Sequence, residues 1–220
     1  MISIILNCYD QERVQRHQTV ACLAAIRKFT DELYEIIVVD NEPKFPIIDD
    51  YKVLAPYTHI INEKNKNVYE SYNQGAKVAK GKYLVFVQND VYCHERTINK
   101  LCKYLDKFDV AFPVQHELSR EDALIVQNTP DGEESPIGWK DAGMLAITRE
   151  AFDKTGGWPE KFHNLLGEKA FYSTIDELGL SWTPQTNALI THLKAANNLQ
   201  KNDSLYAQEM THDAELLETT

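Results

Sequence analysis

The sequence predicts an α/β protein with a mostly parallel central sheet flanked by helices. Two observations carry this. Short, nearly continuous apolar runs alternate with segments of helical periodicity, the pattern of strand–helix–strand units. Three of those runs also stop abruptly on polar clusters, and ligands of open α/β sheets bind outside the carboxyl ends of the strands.

The elements follow in order. Ile2 to Leu6 is an unbroken apolar run, as expected of a strand covered on both faces. A helical pattern runs from about Glu12 to Phe29, with Val14, Ala21, Leu23, Ala24 and Ile26 as its apolar face. Tyr34 to Val39 reads as a second buried strand, and Ile60–Ile61 as a short third. Val68 to Val78 has helical rhythm, and Gly81 is expected to stop it as a residue free to take positive φ. Tyr83 to Val87 is the next strand, and a helix follows over about Glu95 to Leu105.

The second half is less regular. Ser119 to Trp139 is polar, with a turn signal at Pro130–Asp131–Gly132, and reads as a long loop or flap. Asp141 to Ile147 returns to strand character, Thr148 to Lys154 forms a helical turn, and Gly156–Gly157 breaks it. Glu168 to Leu178 is a helix closed by Gly179. Ala188 to Thr191 is a last strand with His192 at its end. The expected organisation is one domain over residues 1–193, made of two halves, 1–110 and 111–193. A polar, acidic tail over 194–220 follows.

With 23 Lys and Arg against 33 Asp and Glu, the net charge is −10. That disfavours nonspecific binding to nucleic acid or anionic membrane. No apolar run approaches the roughly 20 residues of a membrane span, and MISIILNCYD lacks the basic flank of a signal peptide. Cys8, Cys22, Cys93 and Cys102 show no CxxC spacing. They suggest neither a zinc site nor a disulfide framework, and a reducing cytoplasm fits.

The three polar strand ends are Asn7–Cys8–Tyr9–Asp10, Asp40–Asn41 and Gln88–Asn89–Asp90. Asp and Asn also serve turns and helix caps locally. Three at matching positions point to a shared ligand edge.

From Ser3 to His192 the chain resembles the family-two glycosyltransferases, which have the Rossmann-like, nucleotide-sugar-binding GT-A fold. The resemblance lies in SIILNCYDQ, EIIVVDNEP, GMLAITREAFDKTGGWPEKF, the final ITH and, above all, NVYESYNQGAKVAKGKYLVFVQND. The last of these carries Asn73, Gly75, Ala79 and Gly81, and ends on Asp90 in the position of the final acid of the family's Asp-x-Asp element. Two departures stand out. Gln88 replaces the first acid of that element, and the family's later Glu–Asp pair is reduced to GEKAF. Counting back from Gly179 places Glu168 at the catalytic base, while matching Glu to Glu would place Lys169 there. We prefer the former because it leaves a carboxylate, and Asp141 is the next candidate.

The resemblance implies an inverting transfer of a sugar from a nucleotide sugar, with a UDP-sugar favoured, to an acceptor hydroxyl, with a modified nucleic-acid base still open as an acceptor. It makes residues 1–110 the nucleotide-binding half and residues 111–193 the acceptor-binding half. Asp90 and His192 would hold Mn2+ or Mg2+ beside the diphosphate, with weaker metal binding than two acids would give. Cys8, Tyr9, Asp40, Asn41, Lys64, Asn73 and Asn89 would line the nucleotide site. Trp139, Gly143 and Trp158 would line the acceptor site, though tryptophans also fill cores. Two other readings stay open: a non-catalytic nucleotide-sugar or glycan-binding module, and a nucleotidyltransferase. The latter would want a glycine-rich phosphate loop, which NCYDQER does not supply.

Overall fold

The computed structural model describes residues 1–44, 57–115, 120–136, 143–163, 166–184, 186–193 and 211–216. Its elements are β1 (Ile2–Cys8), α1 (Arg13–Phe29), β2 (Tyr34–Asn41), β3 (Thr58–Asn62), α2 (Val68–Val78), β4 (Tyr83–Gln88), β5 (Val91–Cys93) and α3 (Thr97–Tyr104). They continue with β6 (Val110–Ala111), β7 (Val114–Gln115), α4 (Arg120–Asn128), β8 (Met144–Thr148), α5 (Arg149–Thr155), α6 (Leu166–Glu177), β9 (Trp182–Thr183) and β10 (Leu189–His192).

A seven-stranded sheet runs β3-β2-β1-β4-β8-β6-β9, and β5-β10-β7 form a small second sheet. Among the described residues of the large sheet only β8 is antiparallel to its neighbours, β4 and β6. The large sheet is apolar on both faces, which explains the unbroken apolar runs. Ile4, Leu6, Ile36, Val38, Val85 and Val87 face Leu23 and Ile26 of α1 and Leu101 of α3. Ile5, Ile37, Val39, Leu84 and Phe86 face Tyr69 and Tyr72 of α2, Phe152 of α5 and Phe171 of α6. Each such side chain taken fully from water contributes about 1.5–3 kcal/mol. All four cysteines are buried thiols.

The parallel register aligns the strand ends. Asn7 pairs with Gln88, Cys8 with Asp40, and Asn41 with Asn62. The polar clusters therefore lie side by side along one edge.

Gly81 departs from expectation. It does not adopt positive φ, and α2 has already ended at Ala79 in extended backbone. Its need is for space: a Cβ would lie 2.6 Å from Ser3 N, and its own N–H donates to Ser3 Oγ at 2.7 Å. Gly156 and Gly157 do break the chain as expected, with φ of 77° and 96°, and Gly179 closes α6 at 63°.

The polar stretch expected to be a loop contains α4. The helix buries Ala123 and Val126, one turn apart on a single narrow face, while Leu124 and Ile125 stay exposed. So thin a stripe left little periodic signal. The expected tail likewise contains a helical turn at 211–216, where Asp213 is buried.

Candidate active site

The site is built on the carboxyl edge of β1, β2 and β4. Asp90 lies two residues beyond the end of β4. The antiparallel pairing of β10 with β5 sets His192 opposite Val91, and Leu193 N–H donates to the Asp90 carbonyl at 2.8 Å. This brings Asp90 Oδ1 within 3.2 Å of His192 Nε2. Cis donors in an octahedral shell with bonds of about 2.1 Å lie about 3 Å apart, and a carboxylate oxygen with an imidazole nitrogen suits manganese. The pair fits part of a metal shell. No group of three or more His, Cys, Asp or Glu side chains among the described residues could hold a metal alone, so phosphate and water would have to complete it.

Behind this pair lies a polar core. Asp10 is buried and accepts from Thr19 Oγ1 at 2.8 Å and from Asn89 Nδ2 at 3.0 Å. The Arg16 guanidinium lies 3.9 Å from its other oxygen. Burial pushes the Asp10 carboxyl up to about 6, against the pull of Thr19 and with a further push from Asp40. Asn89 was expected at the nucleotide, and its amide holds Asp10 and Thr19.

Asp40 is 0% exposed. Its Oδ2 lies 3.3 Å from His59 Nε2, and its Oδ1 has no hydrogen-bond partner among the described residues. Asn41 is committed to an amide ladder. Its Nδ2 donates to Asn7 Oδ1 and Ser71 Oγ, and Asn62 Nδ2 donates to Asn41 Oδ1 and to Gln74 Oε1.

Other expected residues are distributed as follows. Cys8 packs in the apolar core with the residues that face α1 and α3, and burial pushes its thiol up. Tyr9 is half-buried beside the edge and Lys64 is exposed. Asn73 clamps the chain after α5: its Nδ2 donates to the Trp158 carbonyl at 2.9 Å and to Glu160 Oε1 at 2.8 Å, and its Oδ1 accepts from Trp158 N–H at 2.9 Å. Trp158 is 5% exposed and stacks on Phe171 with ring centroids 4.0 Å apart. It is a core residue and not an open sugar platform. The buried Gly143 accepts from Gln88 N–H through its carbonyl at 3.0 Å. Trp139 and Asp141 lie outside the described residues.

Glu168 is half-buried in the first turn of α6. Its N–H donates to the Tyr69 hydroxyl at 3.0 Å. Burial raises the pKa of the neighbouring Tyr72 hydroxyl well above its usual value, with further pushes from Glu168, Tyr69 and Asp90. Tyr72 therefore lies within electrostatic reach of both the candidate base and the candidate metal ligand.

Sequence reasoning did not find His59, Tyr69, Tyr72 or Asp213. A histidine beside the apolar pair Ile60–Ile61 was a signal for the first. The others are marked only by contacts between distant parts of the chain.

A mixed sheet with one reversed strand, a ligand edge on β1, β2 and β4, and a carboxylate–imidazole pair beside it define the nucleotide-sugar-binding GT-A class. The chain belongs to glycosyl transferase family 2, whose family model matches residues 3–158. It is 27% identical over 168 residues to an uncharacterized glycosyltransferase of Haemophilus influenzae, covering 71% of this chain and 56% of that protein. Its fold is similar to that of the mannosyltransferase PcManGT from Pyrobaculum calidifontis in complex with GDP-Man and Mn2+. The TM-score there is 0.73 at 15% identity, over 99% of this chain and 64% of that one. It is also similar to S. aureus TarS 1–349 in complex with UDP, with a TM-score of 0.62 at 16% identity over 86% and 60% of the two chains. This chain thus spans about half to two thirds of the length of these relatives. No helix among the described residues is long and apolar enough to cross a membrane.

Proposed function

We propose that the chain transfers a sugar from a UDP-sugar to an acceptor hydroxyl with inversion at the anomeric carbon. The observation that carries this reading is the approach of Asp90 Oδ1 to His192 Nε2, at 3.2 Å, on the carboxyl edge of β4. A divalent cation held there would neutralise the diphosphate as the glycosidic bond breaks. Asp40 Oδ1, with no hydrogen-bond partner among the described residues, is a ready acceptor for an N–H of the base or a ribose hydroxyl, and Tyr9, half-buried just beyond the end of β1, packs on the base. Glu168 takes the proton of the acceptor hydroxyl. That oxygen bonds to the anomeric carbon from the face opposite the diphosphate, and the bond to the diphosphate oxygen breaks, releasing UDP. One such displacement inverts the centre. In this reading Tyr9, Asp40 and Asp90 come from before residue 110, while Glu168 and the second metal ligand, His192, come from after it, so the donor site draws on both halves of the chain.

A thermal-shift panel of nucleotide sugars, each with and without Mn2+, tests the reading. A donor at 100 times its dissociation constant adds about 2.7 kcal/mol of stability, and UDP-sugars with Mn2+ are expected to give the largest shift. No shift with any nucleotide would overturn it. Because Gln88 leaves the site with one acid where the family has two, a non-catalytic binding module is the second reading. Donor binding without release of UDP would establish that reading instead.

A further inference from the structure

Two buried polar groups that take no part in the transfer described above hold α6 and the chain leading into it. The first is Tyr69 of α2, 1% exposed. Gly167 lies flat against its ring, where a Cβ would overlap ring atoms. The next residue, Glu168, donates its N–H to the Tyr69 hydroxyl at 3.0 Å. Tyr69 also stacks on Trp158, which stacks in turn on Phe171 in the second turn of α6.

The second is Asp213, from the helical turn at 211–216. Its carboxylate is 0% exposed, and both oxygens accept from His163 N–H, at 2.9 and 3.1 Å, just before α6 begins. Burial, Glu168 and Asp213 together raise the pKa of the Tyr69 hydroxyl, so these groups share one neighbourhood.

A buried carboxylate is an expensive way to dock a helix, because leaving water costs several kcal/mol that an apolar contact would not. What it supplies is direction, since it fixes a backbone N–H at one place. A general base needs that accuracy, because it must lie within hydrogen-bond reach of the proton it removes. Resting on the reading of Glu168 as the base, we propose that Tyr69 and Asp213 are positioning residues for the Glu168 carboxylate, Tyr69 through the Glu168 N–H and Asp213 through His163 at the approach to α6. The turn at 211–216 then supports the transfer site.

The test uses the full chain and the UDP-sugar it turns over fastest, with UDP release as turnover. Tyr69→Phe keeps the ring and removes the acceptor for Glu168 N–H. Asp213→Asn keeps the shape and removes the charge. Each is expected to lower kcat by about 10- to 100-fold, while KM for the donor and UDP affinity stay within about twofold. Combined with Glu168→Gln, neither should lower kcat further, because both act through that carboxylate. Unchanged kcat in both single variants overturns the assignment. So does a loss of UDP affinity in proportion to kcat, which marks general loss of structure, or a further loss in the combined variants. Full turnover in Glu168→Gln alone instead overturns the reading of the base.

Discussion

Asp90 and His192 meet because a strand pairing and a backbone hydrogen bond force them to. β4 delivers Asp90 at its carboxyl end, β10 pairs antiparallel with β5, and the Leu193 N–H closes on the Asp90 carbonyl. The side chains are left 3.2 Å apart. If they share a cation, Asp90→Asn should abolish the Mn2+-dependent part of the thermal shift given by UDP. His192→Ala should weaken it. Gln88→Asp adds a charge beside the ion and should lower the Mn2+ concentration needed for half the shift. A Mn2+ response unchanged in all three would remove this pair from the metal site.

Asp40 presents a buried oxygen with no hydrogen-bond partner among the described residues, while its other oxygen faces His59. Asp40→Ala is expected to weaken UDP binding by about 1.5–3 kcal/mol, the worth of a hydrogen bond to a charged group. Calorimetry reads this directly, and an unchanged dissociation constant would place the nucleotide elsewhere.

Asp10 gives a pH prediction. Its carboxyl is raised from 3.8 to about 6 by burial. The folded chain therefore binds its proton more tightly than the unfolded chain does, so this group's contribution to stability falls as pH rises from about 4 to about 6 and is level above that. The full loss is on the order of 3 kcal/mol. Asp10→Asn removes the titration and leaves an oxygen for Thr19. The variant should gain on the parent between pH 4 and 6 and keep that gain at pH 7. Melting curves across this range check it. A variant less stable at pH 7 than the parent would mean that Arg16 outweighs burial.

Gly81→Ala should destabilise the fold by about 1–3 kcal/mol, as overpacking does. The added Cβ meets the Ser3 backbone at 2.6 Å, and no flexible side-chain end can yield there. Urea denaturation measures the change, and a neutral effect would show that β1 can shift.

The main strands and long helices were legible because the sheet is covered on both faces and its strands read as continuous apolar runs. β6, β7 and β9 have two residues each, too few to carry any periodicity. The polar strand ends were legible as an edge, but the division of work among them was not. Asn89, Asn41 and Asn73 look from sequence like ligand residues, and the fold uses their amides to hold Asp10, Asn62 and Trp158. Their partners lie tens of residues away. Asp213 was hidden for the same reason, since its partner His163 lies 50 residues earlier in the chain.

The reversal of β8 has a practical consequence for dissection. β8 comes from the second half of the chain yet pairs along β4 from Tyr83 to Val87. A fragment of residues 1–110 would expose that whole ladder as a flat, apolar edge of the kind that recruits other chains. Expressed alone it should aggregate, and supplying residues 111–220 in trans should recover soluble material. Since a cut after residue 110 would divide β6, the connection between α3 and β6 is the better place to split the protein into a complementation pair.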